Sequence, residues 1–267
     1  MPDGQFNWQA FTGGVVIVSG GGKNSGASNA ILSLIFAEGT RPSVEALTRL
    51  AGRDDGLVRF TISHEPAPFA GWVELLATGL TFDCSGLAPG AAASVPPLGA
   101  LLGLAEPPPG EALALAPAPH LADGVGMLPV IRFIAGLGAE LASLPGVKAA
   151  VWNPARCWMA PDYYRKFVSA WLRGGAFPAL GLTSLQREID GAMVTVGLAL
   201  ITGQELRFEP HSGMPPAGVA RIAVRLIHAL IETGPLTAPY EFTGPEDETL
   251  DVVPIQQGRQ LRVSVRQ

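Results

Sequence analysis

The chain has 267 residues, of which 48% are hydrophobic and 15% are charged, and its formal net charge is −5. This composition supplies enough apolar material for one large core or two small ones and is untypical of a disordered chain. The negative charge argues against a nucleic-acid partner, because phosphate binding needs concentrated positive charge. No run approaches the roughly 18 apolar residues of a membrane-spanning helix, so we expect no membrane association.

The beginning of the chain lacks the pattern of a secretory signal. Asp3 precedes the first basic residue, Lys23, and no apolar core region follows. The only two cysteines, Cys84 and Cys157, make neither a disulfide framework nor a metal cage. We therefore predict a soluble protein of the bacterial cytoplasm, and the pattern indicates no cofactor.

The N-terminal portion reads as strands and one short helix. Strands are predicted at residues 14–19, 30–37, 57–63 and 72–84, with an interruption at Gly79. A helix is predicted to begin at 42 and end at 50, because Val44, Leu47 and Leu50 recur at helical spacing. Ser43 is a suitable N-cap, since its hydroxyl can accept from the first free backbone amides.

Residues 87–118 differ in composition from the rest of the chain. Ala, Pro, Gly and Leu dominate, and Pro107 to Gly110 exclude a continuous helix, although a short one fits near 97–104. We interpret the segment as a loop or linker between an N-terminal portion, 1–86, and a C-terminal portion, 119–267. One continuous domain is the alternative.

The C-terminal portion alternates helices and strands. Helices are predicted at 129–143, 161–172 and 216–232, and strands at 147–152, 180–188, 192–201, 204–209 and 260–265. Asp190-Gly191 is a good two-residue hairpin signal, and Thr202-Gly203 marks another turn. The predicted fold class is therefore α+β, with mostly antiparallel sheet covered by helices on one face, as one domain or as two similar lobes.

Residues 120–210 resemble an uncharacterised family of bacterial proteins known only as a domain of unknown function. The resemblance is carried by the apolar helix at 128–144, the strand at 149–152, the aromatic-rich helix at 162–171, the segment 195–198, and Gly203 with Glu205. The opening strand and helix at 33–50 are similar as well. The resemblance implies a similar α+β architecture, and it implies no activity, cofactor or catalytic residue.

Two segments invite a catalytic interpretation. The loop Gly20-Gly21-Gly22-Lys23 exposes backbone amides as phosphate loops do, but Ile17 and Asn24 break the required spacing, which favours a hairpin loop. Cys157 precedes a predicted helix, where the helix dipole and Arg156 would lower the thiol pKa. Paired with His120 or His211, it would serve a cysteine-dependent hydrolase or transferase. The alternative is a small structural cysteine between two tryptophans.

Metal-ligating residue types are present without metal-ligand spacing. His120, Asp123, Glu205, Glu209 and His211 form no motif of the H-E-x-x-H type, so no metal is predicted. Glu205, Arg207 and Glu209 alternate along one strand and are expected on its solvent face.

Aromatic residues around the turn at 153–161 give the best binding signal. Helical periodicity explains Tyr164 and Trp171 as core residues, but it leaves Trp158 and Tyr163 unexplained. We therefore predict a binding surface made of Asn153, Arg156, Trp158 and Tyr163.

The function that these patterns favour is that of a non-enzymatic module that binds a protein or a small ligand. The alternative is the cysteine-dependent enzyme. A homodimer, through a sheet edge or through the helix at 216–232, is a third, purely structural outcome.

Overall fold

Two mostly antiparallel sheets carry the fold in the computed structural model, which describes residues 29–211 and 214–266. The first sheet has eight strands, numbered in chain order and arranged as β2 (Thr61–His64), β3 (Trp72–Ala77), β4 (Leu80–Ser85), β6 (Glu111–Pro117), β1 (Leu32–Phe36), β7 (Val147–Trp152), β8 (Cys157–Met159) and β5 (Ala100–Leu102). All neighbours pair antiparallel except β5 and β8. The predicted α+β class with mostly antiparallel sheet is confirmed.

The second sheet has six strands. They are arranged as β12 (Tyr240–Thr243), β13 (Thr249–Ile255), β14 (Gln260–Val265), β11 (Glu205–Phe208), β10 (Met193–Val196) and β9 (Ser184–Arg187). Here β11 and β14 are the parallel pair. Residues 188–192 connect β9 to β10 in the hairpin that Asp190-Gly191 predicted.

Six α-helical elements lie in the described part of the chain. They are α1 (Val44–Ala51), α2 (Leu128–Leu141), α3 (Pro161–Leu172), the irregular turn α4 (Ala179–Leu182), α5 (Ala199–Thr202) and α6 (Pro216–Thr233). Short 3-10 turns are present at Pro119–Gly124, Asn153–Ala155 and Gln256–Gly258. The predicted long helices are confirmed, and so is the N-cap of α1, where Ser43 Oγ accepts from Ala46 N at 3.4 Å. Within the described residues, none of the helices combines the length and apolar character that crossing a bilayer requires.

Side-chain alternation gives the first sheet two different faces. Leu32, Leu34 and Phe36 of β1 point into the core beneath α2 and α3. Ile35, between them, points the other way and packs with buried residues of neighbouring strands. The central strand is therefore buried on both faces, which explains why all five of its residues are inaccessible to solvent.

The segment at 87–118 covers that second face, and the prediction that it is a loop or linker is wrong for β5 and β6. β6 lies in the middle of the sheet between β4 and β1, and its residues Ala112 to Leu115 are buried. Leu101 and Leu104 pack on the face that carries Ile35. The first sheet thus takes strands from both sides of the predicted boundary.

Two further predictions need correction. Residues 180–182 belong to α4, so the strand predicted at 180–188 is confined to β9, and the strand at 192–201 ends with β10 before α5 begins. Strands β8, β12 and β13 were not predicted. The predicted strand at 14–19 and the glycine-rich loop that follows it lie outside the described residues.

One continuous core joins the two sheets. The same apolar cluster contains Leu34 of β1, Ile134 of α2, Phe208 of β11 and Ile227 of α6. α2 approaches β1 closely at Gly138, where a Cβ atom would clash with Leu32 Cδ2 and lie 2.8 Å from Tyr164 Oη. Tyr164 is buried and donates its hydroxyl to Ala135 O at 2.9 Å, which fixes α3 against α2.

We predict that Gly138→Ala lowers the free energy of unfolding by about 1–3 kcal/mol, because the added methyl group overpacks a site with no free space. Chemical denaturation of the wild type and the variant measures this difference. Gly52→Ala is the matched control, since a Cβ there meets only ordinary contacts at 3.6 Å and beyond. Equal stability of Gly138→Ala and wild type would contradict the packing described.

Candidate functional site

Asn153 of the predicted binding surface connects two segments of backbone. It begins a short 3-10 turn after β7, and its Nδ2 donates to Ala30 O and to Ser33 Oγ, each at 3.0 Å. Asn153 Oδ1 is buried and has no hydrogen-bond partner within the described part of the chain. The side chain thereby holds the residues before β1 against the end of β7.

Trp158 is a core residue, and the prediction that it lies on a surface is wrong. Its side chain is 3% exposed and packs with Ile35 and Val151 on the second face of the first sheet. Its indole Nε1 donates to Pro97 O at 3.1 Å, so the polar edge of the ring is satisfied by the segment that covers this face. Periodicity along α3 cannot explain this residue, because its hydrogen-bond partner Pro97 lies 61 positions earlier in the chain.

Arg156 and Tyr163 are the accessible members of the predicted surface. Arg156 is exposed and has a left-handed backbone with φ 48°. Tyr163 is half-buried, and its ring meets Phe167 edge-on with centroids 5.5 Å apart. Burial, and secondarily the Cys157 thiol, raises the pKa of the Tyr163 hydroxyl. The structure thus brings together an exposed arginine and a half-exposed tyrosine, and their role in binding stays a prediction.

Cys157 lies in a different environment from the predicted one. It belongs to β8 between β7 and β5, and its side chain is 1% exposed. Burial raises the pKa of the Cys157 thiol to about 12, so the expected lowering of its pKa is wrong. A thiol that stays protonated and inaccessible near neutral pH is a poor nucleophile.

The two candidate histidines lie elsewhere. His120 Nε2 is 3.3 Å from Thr81 Oγ1 of β4. Strand β4 is four strands away from β8, which carries Cys157. At about 4.8 Å per strand, the two strands are roughly 19 Å apart. His211 follows β11 of the other sheet and lines a cavity there. His120 therefore does not reach Cys157, and the predicted pairing of these two residues is wrong.

An acidic pair lies near His120 on the first sheet. Glu74 of β3 and Asp83 of β4 are direct cross-strand neighbours. Burial raises the pKa of Asp83, the Glu74 carboxylate raises it further, and His120 opposes both. Across residues 29–211 and 214–266, no group of three or more His, Cys, Asp or Glu side chains is arranged to hold a metal ion.

Glu205 has a structural role and does not lie on the predicted solvent face. Its carboxylate accepts from Thr195 Oγ1 at 2.6 Å, Gly197 N at 2.9 Å and Ala199 N at 3.0 Å. Burial raises the pKa of Glu205, and these hydrogen bonds oppose that shift. The residue thus fixes the chain between β10 and α5.

A cavity of about 270 Å³ lies between the beginning of α6 and the six-stranded sheet. The side chains that form its floor and roof are apolar and come from four strands and one helix. They are Met193, Phe208, Val219, Ile222, Leu250 and Val263. Met193 pairs with Phe208 across β10 and β11, and Phe208 pairs with Val263 across β11 and β14, so the three form one row on the face beneath α6.

Three polar side chains lie at the rim of this cavity. They are Arg187, Glu209 and His211. Arg187 and His211 are exposed, whereas Glu209 Oε1 accepts from Arg207 Nε at 3.2 Å. Arg207 also pairs with Glu188 and Asp190, so three carboxylates of this corner of the sheet are oriented toward one arginine. An apolar interior with a few polar groups at its mouth is the usual composition of a small-ligand site.

A second depression lies at the edge of the first sheet beside α1 and measures about 550 Å³. It is lined mostly by exposed residues, and its charged groups pair locally, with Arg53 bound to Asp55 at 2.9 Å and Arg59 to Asp54 at 3.5 Å. This depression is a groove that is much more open to solvent than the cavity under α6, so the cavity under α6 is the better candidate site.

The sequence contains one local signal for this site. Leu185 and Arg187 are two positions apart on β9 and therefore project from the same face of the sheet. A charged side chain thus lies on the face that carries core residues. The strand residues of the floor, Met193, Phe208 and Val263, meet only through long-range strand pairing and carry no local signature.

Comparison with known proteins adds no assignment. No protein-family model matches the chain, and neither the curated proteins nor the solved structures contain a match. The resemblance to a bacterial domain of unknown function therefore remains a prediction.

We predict that Cys157 in the native protein reacts with an aromatic disulfide reagent far more slowly than free cysteine at pH 7.5, because its thiol is buried and protonated. The chain has two cysteines, and both are buried. The time course of thiol release should show two thiols per chain only after unfolding. Ala170→Cys, on the exposed side of α3, supplies an accessible thiol as the control. Native Cys157 that reacts as fast as this added thiol would contradict the assignment.

Proposed function

We propose that this protein is a non-enzymatic binding module that takes a small, largely apolar ligand in the cavity under the beginning of α6. The observation that supports this most is the row of Met193, Phe208 and Val263, which forms an apolar floor open to solvent beside Arg187 and His211. Such a floor binds through removal of apolar surface from water, which requires no reactive group.

The size of the cavity limits the ligand. At about 30 Å³ per water-sized group, 270 Å³ holds on the order of nine non-hydrogen atoms. Six buried methylene groups would contribute roughly 5 kcal/mol of transfer free energy at about 0.8 kcal/mol each. Taken alone, about 5 kcal/mol corresponds to a dissociation constant of about 0.2 mM. The cost of association weakens this value, so a millimolar or weaker affinity is expected for a ligand without further polar contacts.

Val219 gives a direct way to close the cavity. It lies in the first turn of α6 and faces the floor, whereas Val224 lies on the same helix outside the cavity lining. A larger side chain at 219 fills empty space, and the same change at 224 leaves the cavity intact.

We predict that Val219→Phe weakens the binding of 1-octanol at least about tenfold, because the phenyl ring occupies the space that the ligand needs. Ligand-observed NMR with wild type, Val219→Phe and the control Val224→Phe measures this effect, and thermal unfolding verifies that each variant is folded. A folded Val219→Phe variant that binds octanol like wild type, or wild type that binds no octanol, would refute the proposed site.

A further inference from the structure

We infer that the ligand of the cavity under α6 is an amphiphilic carboxylate, with its apolar chain on the Met193–Phe208–Val263 floor and its carboxylate at Arg187. This inference rests on the proposed function and adds the chemical class of the ligand. It is carried by the position of Arg187, by its lack of a partner, and by the pairing of the nearby acidic groups.

Arg187 stands at the end of the apolar row. It is the direct cross-strand neighbour of Met193, and the same row continues through Phe208 to Val263. Cross-strand neighbours project from the same face of a sheet, so Arg187 extends from the face that α6 covers. Because β9 is the edge strand, the guanidinium lies where the cavity meets solvent. A ligand on the floor therefore reaches this arginine without leaving the apolar row.

The guanidinium of Arg187 has no ion pair and no hydrogen bond with any described residue. The other arginine of this sheet corner, Arg207, is held by Glu188, Asp190 and Glu209. The positive charge of Arg187 is thus available to a ligand, whereas the Glu209 carboxylate is oriented toward Arg207. Of these two charged side chains that line the cavity, the one without a partner among the described residues is the cation, which favours an anionic head group beside it.

The chemistry of the available donors fits a carboxylate. A guanidinium presents parallel N–H groups that match the two oxygens of a carboxylate, and such charge-assisted pairs are stronger than neutral hydrogen bonds. His211 at the same mouth supplies an additional N–H donor, since an imidazole carries at least one in either protonation state. With about nine non-hydrogen atoms of space, a straight-chain monocarboxylate of about six to eight carbons fits.

Three ligands of equal chain length separate the effect of charge from that of the apolar chain. Isothermal titration of octanoate, 1-octanol and octylammonium into the whole protein is the experiment. We expect octanoate to bind about tenfold more tightly than octanol, and octylammonium more weakly than both. Arg187→Gln should abolish the preference for octanoate and leave octanol binding unchanged.

Arg262→Gln is the matched control. Arg262 is an exposed arginine of the same sheet and lies between the core residues Leu261 and Val263, so its side chain faces away from α6. It should keep the wild-type preference. Equal affinities of octanoate and octanol for wild type, or a preference that survives Arg187→Gln, would overturn the assignment of a carboxylate while the apolar site stands. If none of the three ligands binds, both the carboxylate assignment and the proposed function fail.

Discussion

The packing of α6 against the six-stranded sheet is the interaction on which the candidate site depends. Along most of the helix, large residues such as Leu226, Ile227 and Leu230 fill the space above the sheet and are almost completely buried. At the beginning of the helix, Pro216 and Val219 line the cavity. The cavity is the space between these side chains and the floor of Met193, Phe208 and Val263.

The two sheets differ in how completely they are covered, and this difference decides where a ligand can enter. The eight-stranded sheet has α2 and α3 on one face, and the segment with Leu101 and Leu104 covers the other face at its centre. This second layer also buries Trp158, which the sequence predicted on a binding surface. Within the described residues, α6 is the long helix that packs on the six-stranded sheet, and its first turn is where the apolar layer opens to solvent.

The sequence predicts the elements whose pattern is local and fails where burial comes from distant segments. α2, α3 and α6 have clear helical periodicity, and β3 and β4 alternate around a turn at Gly79, so their positions follow from neighbouring residues. β6 is rich in alanine and flanked by prolines, both of which disfavour strands, and it is a strand because β4 and β1 lie on either side of it.

The same limit applies to the candidate site. The environment of Cys157 depends on β5, which lies more than 50 residues earlier in the chain, so its position before a helix suggested the wrong direction for its pKa. The floor of the cavity combines residues from three strands, of which β14 is 55 residues away from β11 along the chain. His211 was identified as a candidate residue from its type alone, whereas Arg187 required the strand register to be known.

The central claim is that an open apolar cavity exists under the first turn of α6. Crystallography under xenon pressure tests it most directly, because xenon binds in unfilled apolar cavities of this size. We expect a xenon atom between Val219 and the floor of Phe208 and Val263. A structure without xenon at this position, in which Met193 or Phe208 fills the space beneath α6, would contradict the account.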